Sequence, residues 1–398
     1  MLAIRALSSR LPRLAATRRA SQAFAFSSTS DDSSDATAPA TTEPVESGVI
    51  SAIPISQATS ADLLKHFAFT QETQEKLIPE GIHRHMEKTF ELVGHRHVML
   101  RENTLEIISI MKDWETHKKS VPGFVIDGER GSGKSFALQQ IVQFARESNW
   151  LVLYVPRARA WCYEAPYVMK SPVDESKFDI DVFGVELLEK FLLCHGAQLG
   201  AIPLRGSYGD RYYPAALGAK PKTAGAFDPA TLTLRDLVEN GIMDEDLACT
   251  AVVDLRAELA QVTEFPVLIA VDEYNTWFAK TVFGFEGKDV WPGDLSVVAA
   301  LRDVGADGLP AARRLQNGLF IAAVTENYPS RFDFKKQVDY RALRKTMRTY
   351  SKAELASVVA YYNQVAFLHD HPSESQLAYF RLMTKSLPLH VFDRASFS

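Results

Sequence analysis

The sequence predicts an α/β domain built on a parallel sheet with helices on both faces, and three observations predict it. Four short apolar runs, PGFVID (122–127), WLVLYVP (150–156), FPVLIAVDE (265–273) and LFIAAVTEN (319–327), read as strands buried on both sides. Helical patterns separate them, the clearest over residues 134–148, and strands alternating with helices make parallel connections. Between the first run and the first helix lies GERGSGKS, residues 128–135, which fits the phosphate-loop spacing G-x-x-x-x-G-K-[ST].

Ahead of this core the chain changes character twice. Residues 1–30 carry Arg5, Arg10, Arg13, Arg18 and Arg19 with no acid, and Leu2, Leu7, Leu11 and Leu14 recur at helical spacing. That is the composition of a mitochondrial presequence, a cationic amphipathic helix; a disordered basic tail is the other reading. Residues 31–60, rich in Ser, Thr, Ala, Pro and acid, read as a disordered linker. An N-terminal extension with its own helical stretch, ENTLEIISIMKDWETHKKS, follows over residues 61–120. The nucleotide-binding domain is expected over residues 121–348, interrupted by an insertion at about 196–247 whose start is dense in Gly, Pro, Ala and Tyr. Residues 349–398 close the chain as a helical subdomain.

Composition narrows the function classes. The 398 residues are 46% hydrophobic and 23% charged, ordinary for a globular protein, and no apolar run is long enough to span a bilayer. Taking the leader's five arginines from 44 basic residues leaves 39 against 49 acids, about −10. A chain that acidic is not a general nucleic-acid coat, so RNA contact must come from local patches. Cys162, Cys194 and Cys249 form no CxxC pair and read as buried thiols. The His-x-His pairs in HRHMEK and GHRHVMLR lack a Cys or acid cluster spaced to complete a metal site.

The phosphate loop has its chemistry spelled out. Gly128, Gly131 and Gly133 let the backbone wrap an anion, while the amides of Glu129, Arg130 and Ser132 and the helix start point at it. Lys134 reaches toward the outer phosphates and Ser135 offers a hydroxyl to Mg2+. The second half of such a site is Asp272, an acid ending an apolar strand and a partner for the same Mg2+. Glu273 is the candidate that polarises an attacking water; the alternative is a strand-end cap. Thr325 and Asn327, ending the fourth run, are candidate γ-phosphate sensors or ordinary turn residues. No N-K-x-D element reads guanine, which argues against a Ras-like GTPase without excluding guanine. No acceptor-binding signature supports a small-molecule kinase.

RFDFKKQVDYRALRKTMR, residues 331–348, holds seven basic residues against two acids, with Phe332, Phe334 and Tyr340 interleaved. Lys335, Lys336, Arg341, Arg344, Lys345 and Arg348 are the candidate RNA contacts. A solvated basic face, or one paired with acidic neighbours, is the alternative.

Three stretches in order carry a family resemblance: GERGSGKSFALQQIVQFARESNWLVLYVPRARAW, FPVLIAVDEYNTWF and YSKAELASVVAYYNQVAFL. They resemble the GTP-binding proteins of the mitochondrial small ribosomal subunit, the death-associated protein three type, from about Leu77 onward. The resemblance implies a P-loop NTPase core of the additional-strand (AAA+-like) type with a C-terminal helical lid. It implies a structural ribosomal protein in the mitochondrial matrix that holds a purine nucleotide, GTP or GDP with Mg2+ (ATP as the alternative), without sustained turnover. Its implied partners are small-subunit ribosomal RNA and other mitoribosomal proteins, including a bridge to the large subunit, with the chain a monomer in the particle. Animal members tend to have glycine where this chain has Glu273, which leaves hydrolysis open. The competing reading is an independent matrix ATPase of the AAA+ class, for which Arg313 and Arg314 are candidate trans-acting arginines.

Overall fold

The computed structural model describes residues 48–220, 227–305, 308–326, 336, 343–369 and 373–397. Its centre is a five-stranded sheet of β1 (Gly123–Gly128), β2 (Leu151–Val155), β3 (Val267–Val271), β4 (Gly318–Ala323) and β5 (Arg344–Met347). The strands are all parallel and ordered β5-β1-β4-β3-β2. The four runs read from the sequence are strands because they are apolar at nearly every position, Asp127 of β1 excepted, so both faces can be buried.

Alternation along the strands divides the core in two. Val125, Leu153, Ile269 and Phe320 face one side with α4 (Asp181–Leu199), α5 (Leu234–Met243) and α6 (Glu245–Leu259). Phe124, Ile126, Val152, Leu268 and Ile321 face the other, beneath α3 (Lys134–Glu147) and the N-terminal segment. That segment includes α1 (Arg84–Val93) and α2 (Glu102–Lys112), plus a two-stranded ribbon pairing His66–Ala68 with His97–Met99. A third, smaller cluster joins α7 (Lys352–Gln364) and α9 (Pro388–Ala395) to Val93 of α1.

The structure departs from the sequence reading at three places. The expected linker ends earlier, because Ile55 and Ala58 are buried and the Ser56 amide donates to Glu147 at 2.9 Å. Within the segment read as an insertion, LRDLVENGIM forms α5, whose Leu234, Leu237 and Val238 are wholly buried. The sheet has a fifth strand, β5, drawn from the basic stretch; its polar sequence hides it because it lies at the edge and only Met347 is buried. The leader, residues 1–30, lies outside the described residues. Among the described residues no helix is long and apolar enough to cross a membrane.

Candidate functional site

The site sits at the carboxyl ends of β1, β4 and β3, the edge where open parallel sheets place their ligands. The loop from Gly128 to Ser135 leaves β1 and enters α3, whose N-cap is Gly133 in the left-handed conformation (φ 97°). A residue with a side chain would be strained there. Gly131 is also left-handed (φ 82°), and a Cβ on it would lie 2.5 Å from the Leu389 side chain. The Leu389 amide donates to the Gly131 carbonyl at 3.1 Å, so α9 rests directly on the loop.

Lys134 is buried, and its ammonium donates to the carbonyls of Gly128 (2.9 Å) and Glu129 (2.8 Å), which holds it over the loop mouth. The Ser135 hydroxyl donates to Asp272, one residue beyond β3 and buried. Burial pushes the Asp272 carboxyl up to about 6, opposed by that hydrogen bond and reinforced by the charge of Glu273. β4 stands between the loop strand and the acid strand. Its last residues are tied to β3 by Asn275, which accepts from the Thr325 amide at 2.7 Å and donates to the Thr325 carbonyl at 2.8 Å. Glu326 accepts from the Arg130 amide at 3.2 Å.

Glu273 occupies a left-handed backbone (φ 57°), unusual for a residue with a side chain. Its carboxylate lies 3.5 Å from His83, the N-cap residue of α1. The hydrogen bond to Glu273 raises the His83 pKa, against the effect of burial. Arg101, like Leu389, is a further residue that sequence reasoning missed. Its guanidinium donates to the Ser132 carbonyl (2.8 Å), the Arg348 carbonyl (2.8 Å) and Glu354 of α7 (2.6 Å). It also lies over the Tyr350 ring. No local signal marks His83, Arg101 or Leu389, since each acts on a loop distant in sequence.

A cavity of about 250 Å3 opens from the loop between α1 and α7. Its far end is lined by Met86, Phe90, His97, Tyr361 and Phe392, and its near end by Arg130, Lys134 and Glu273. An apolar, aromatic end joined to a cationic glycine loop suits a ligand with a flat ring and an anionic tail.

The remaining candidates fall elsewhere. Asn327, Lys335 and Arg341 lie outside the described residues, and Lys336 is exposed. Arg344 pairs with Asp127 at 2.5 Å and Lys345 pairs with Glu106, so both are engaged by acids of the same chain. Arg348 is exposed. Arg313 donates to the Ala300 carbonyl at 2.6 Å and lies 3.5 Å from the buried Asp303, while Arg314 is exposed. The three cysteines are free, and burial raises the thiols of Cys162 and Cys194 to about 12 and about 11.

Residues 98–385 match the family model of mitochondrial ribosomal death-associated protein 3. The chain belongs to that family. Membership agrees with the mitochondrial location expected from the sequence. Among curated relatives, the small ribosomal subunit proteins mS29 of Bos taurus and Mus musculus are each 24% identical over 242 residues, 60% of this chain. The match spans 58% and 59% of those relatives' own length. A solved structure titled "Structure of Drosophila ORC bound to DNA" aligns with 89% of the chain and 63% of its own, at 12% identity and a TM-score of 0.32. At that score the likeness carries no argument about the fold.

Proposed function

We propose that this chain is a structural constituent of the mitochondrial small ribosomal subunit that holds a purine nucleotide in its phosphate loop. The observation that carries the nucleotide half is the convergence of GERGSGKS, Asp272 and Thr325 at one sheet edge, with one strand between loop and acid. That strand order supports a P-loop core of the additional-strand type, with α7 to α9 as its helical lid. α8 (Glu374–Thr384) lies between the two lid helices in sequence.

The residues fit the ligand class. Backbone amides from Glu129 to Ser135 and the positive end of α3 would hold the phosphates of GTP or GDP, with ATP the alternative. Lys134 would neutralise them, and Ser135 with Asp272 would hold Mg2+, which supplies charge neutralisation. Ligation of Mg2+ needs Asp272 ionised, and a nearby cation favours that form despite burial. Asn275 keeps Thr325 at the edge where a terminal phosphate would be sensed. Asn327 belongs to the same proposal.

The ribosomal half rests on family membership and on the relatives' names. Small-subunit ribosomal RNA and neighbouring mitoribosomal proteins, among them a bridge to the large subunit, are the partners proposed, with the chain present as one copy. Lys335, Lys336, Arg341, Arg344, Lys345 and Arg348 are the proposed RNA contacts. Of these, Arg344 and Lys345 would have to leave Asp127 and Glu106. The second reading, an independent matrix ATPase, is favoured by one observation, the acid at 273.

One experiment tests both halves. The tagged chain is followed through a sucrose gradient of mitochondrial extract in high magnesium, and the nucleotide retained in its peak is identified by mass and phosphate count. Co-sedimentation with small subunits and a stoichiometric guanine nucleotide are expected. A free oligomer in the soluble fractions overturns the ribosomal assignment.

A further inference from the structure

Glu273 stands where a carboxylate would take the proton of an attacking water, yet its side chain is already engaged. Its Oε1 lies 3.5 Å from Nε2 of His83. The helix cap fixes the ring: His83 Nδ1 accepts the His85 amide at 3.3 Å, which leaves the ring proton on Nε2, facing the carboxylate. The backbone of Glu273 is pinned as well. Its amide donates to Asp272 Oδ1 at 2.8 Å, and its carbonyl accepts from Thr276 Oγ1 at 2.7 Å. A side chain held at both ends, on a left-handed backbone, is an arrangement the surroundings enforce.

We propose that His83 is a latch on Glu273, occupying the carboxylate that would otherwise polarise water, so that the site keeps its nucleotide unhydrolysed. The inference deepens the nucleotide-holding reading and rests on it. Hydrolysis forms a bond from water oxygen to the terminal phosphorus and breaks that phosphorus's bond to the bridging oxygen. The diphosphate leaves, and one water proton passes to a base. A carboxylate oxygen that accepts an imidazole N–H has that lone pair turned away from water. The charged groups around His83 are Glu273 and Asp272, which favour its proton, and Arg157, which opposes it; His85 stacks on its ring. His83 is a positioning residue here. It belongs to the N-terminal segment, so whatever shifts that segment would also release the latch.

The test uses full-length protein as wild type, His83→Asn, Glu273→Gln and the double variant. Asparagine is a strong N-cap and keeps α1 closed, but it is too short to reach Glu273 as the imidazole does. The first measurement needs no nucleotide: the His83 ring is titrated by nuclear magnetic resonance. Its pKa is expected to fall in Glu273→Gln, and an unchanged value overturns the latch. The second is single-turnover GTP hydrolysis. His83→Asn is expected to exceed wild type by at least about tenfold, and the double variant to return to the wild-type rate or below. A rate in His83→Asn equal to or below wild type, with nucleotide retained, overturns the proposal while leaving the holding function intact. If wild type retains no more nucleotide than Lys134→Ala, both readings are overturned, whatever the ring titration gives.

Discussion

Glu273 is two things at once: a carboxylate beside the glycine-rich loop of residues 128–135 and a side chain on backbone that suits glycine. Its φ of 57° is held by three backbone hydrogen bonds to two neighbours, Asp272 and Thr276, so it does not relax when the side chain changes. The left-handed conformation costs a residue with Cβ about 1–2 kcal/mol. Glu273→Gly is therefore expected to be neutral or more stable by about 1 kcal/mol, having lost a partly exposed contact to His83 that contributes little. Glu273→Ala keeps the strain and loses the pair, so it should fall below both in chemical denaturation. Equal stability of the Gly and Ala variants would show that the backbone strain is not stored at this position. The acid at 273 is then a feature maintained at a cost in stability, as strained residues at functional sites commonly are.

At the scale of elements, the two edges of the sheet are closed by different means. β5 covers the β1 edge with polar side chains paired to acids. β2, at the opposite edge, is completed by α4: the Val152 amide points away from β3 and donates to His195 Nε2 at 3.1 Å. His195 Nδ1 meets Gln198 at 2.8 Å, which makes Nε2 the acceptor. Burial lowers the His195 pKa to about 4, and protonation would put a second proton against the Val152 amide. The unfolded ring keeps its ordinary value near 6.5. Above that pH neither state is protonated and the bond's contribution is complete. As pH falls from about 6.5 toward 4 only the unfolded state gains the proton, so stability is lost at up to about 1.4 kcal/mol per pH unit. His195→Ala leaves the buried amide unpaired and costs about 1–3 kcal/mol at pH 7. The gap between wild type and His195→Ala should narrow between pH 7 and pH 5 in urea titrations. A constant gap would rule out this ring as the source.

These edges also show how much the sequence disclosed. The inner strands were legible because burial on both faces demands apolar residues at each position, and VLIAV satisfies that without context. RKTM reads as surface because at an edge only Met347 needs to be buried. α5 was masked by its setting, a short amphipathic helix behind glycine- and proline-rich chain. The loop, Asp272 and Thr325 were legible because each sits at a strand end. His83 and Arg101 were not, because their partners lie 190 and 253 positions away in sequence, and only the folded topology brings them together.

On the scale of the whole molecule, three parts meet at the glycine-rich loop of residues 128–135. The sheet supplies the loop itself, the N-terminal segment supplies Arg101 and His83, and the C-terminal helices supply Glu354 and Leu389. Arg101 and Glu354 are each about nine-tenths buried, so this link is a desolvated one, and removing one partner strands the other. A ligand seated on the loop would brace all three parts, because it binds only the folded arrangement. At 1,000 times its dissociation constant such a ligand stabilises by about 4 kcal/mol. Thermal melts of the purified chain should therefore rise with added GTP and Mg2+, and Lys134→Ala should remove most of that rise when each protein is compared with its own melt without nucleotide. Arg101→Ala gives a different signature. It should lower the melt without nucleotide, by about 2–3 kcal/mol for the lost charged hydrogen bonds, and still respond to GTP through an intact loop. If Arg101→Ala instead abolishes the GTP response and leaves the unliganded melt unchanged, Arg101 is a ligand contact rather than a clamp.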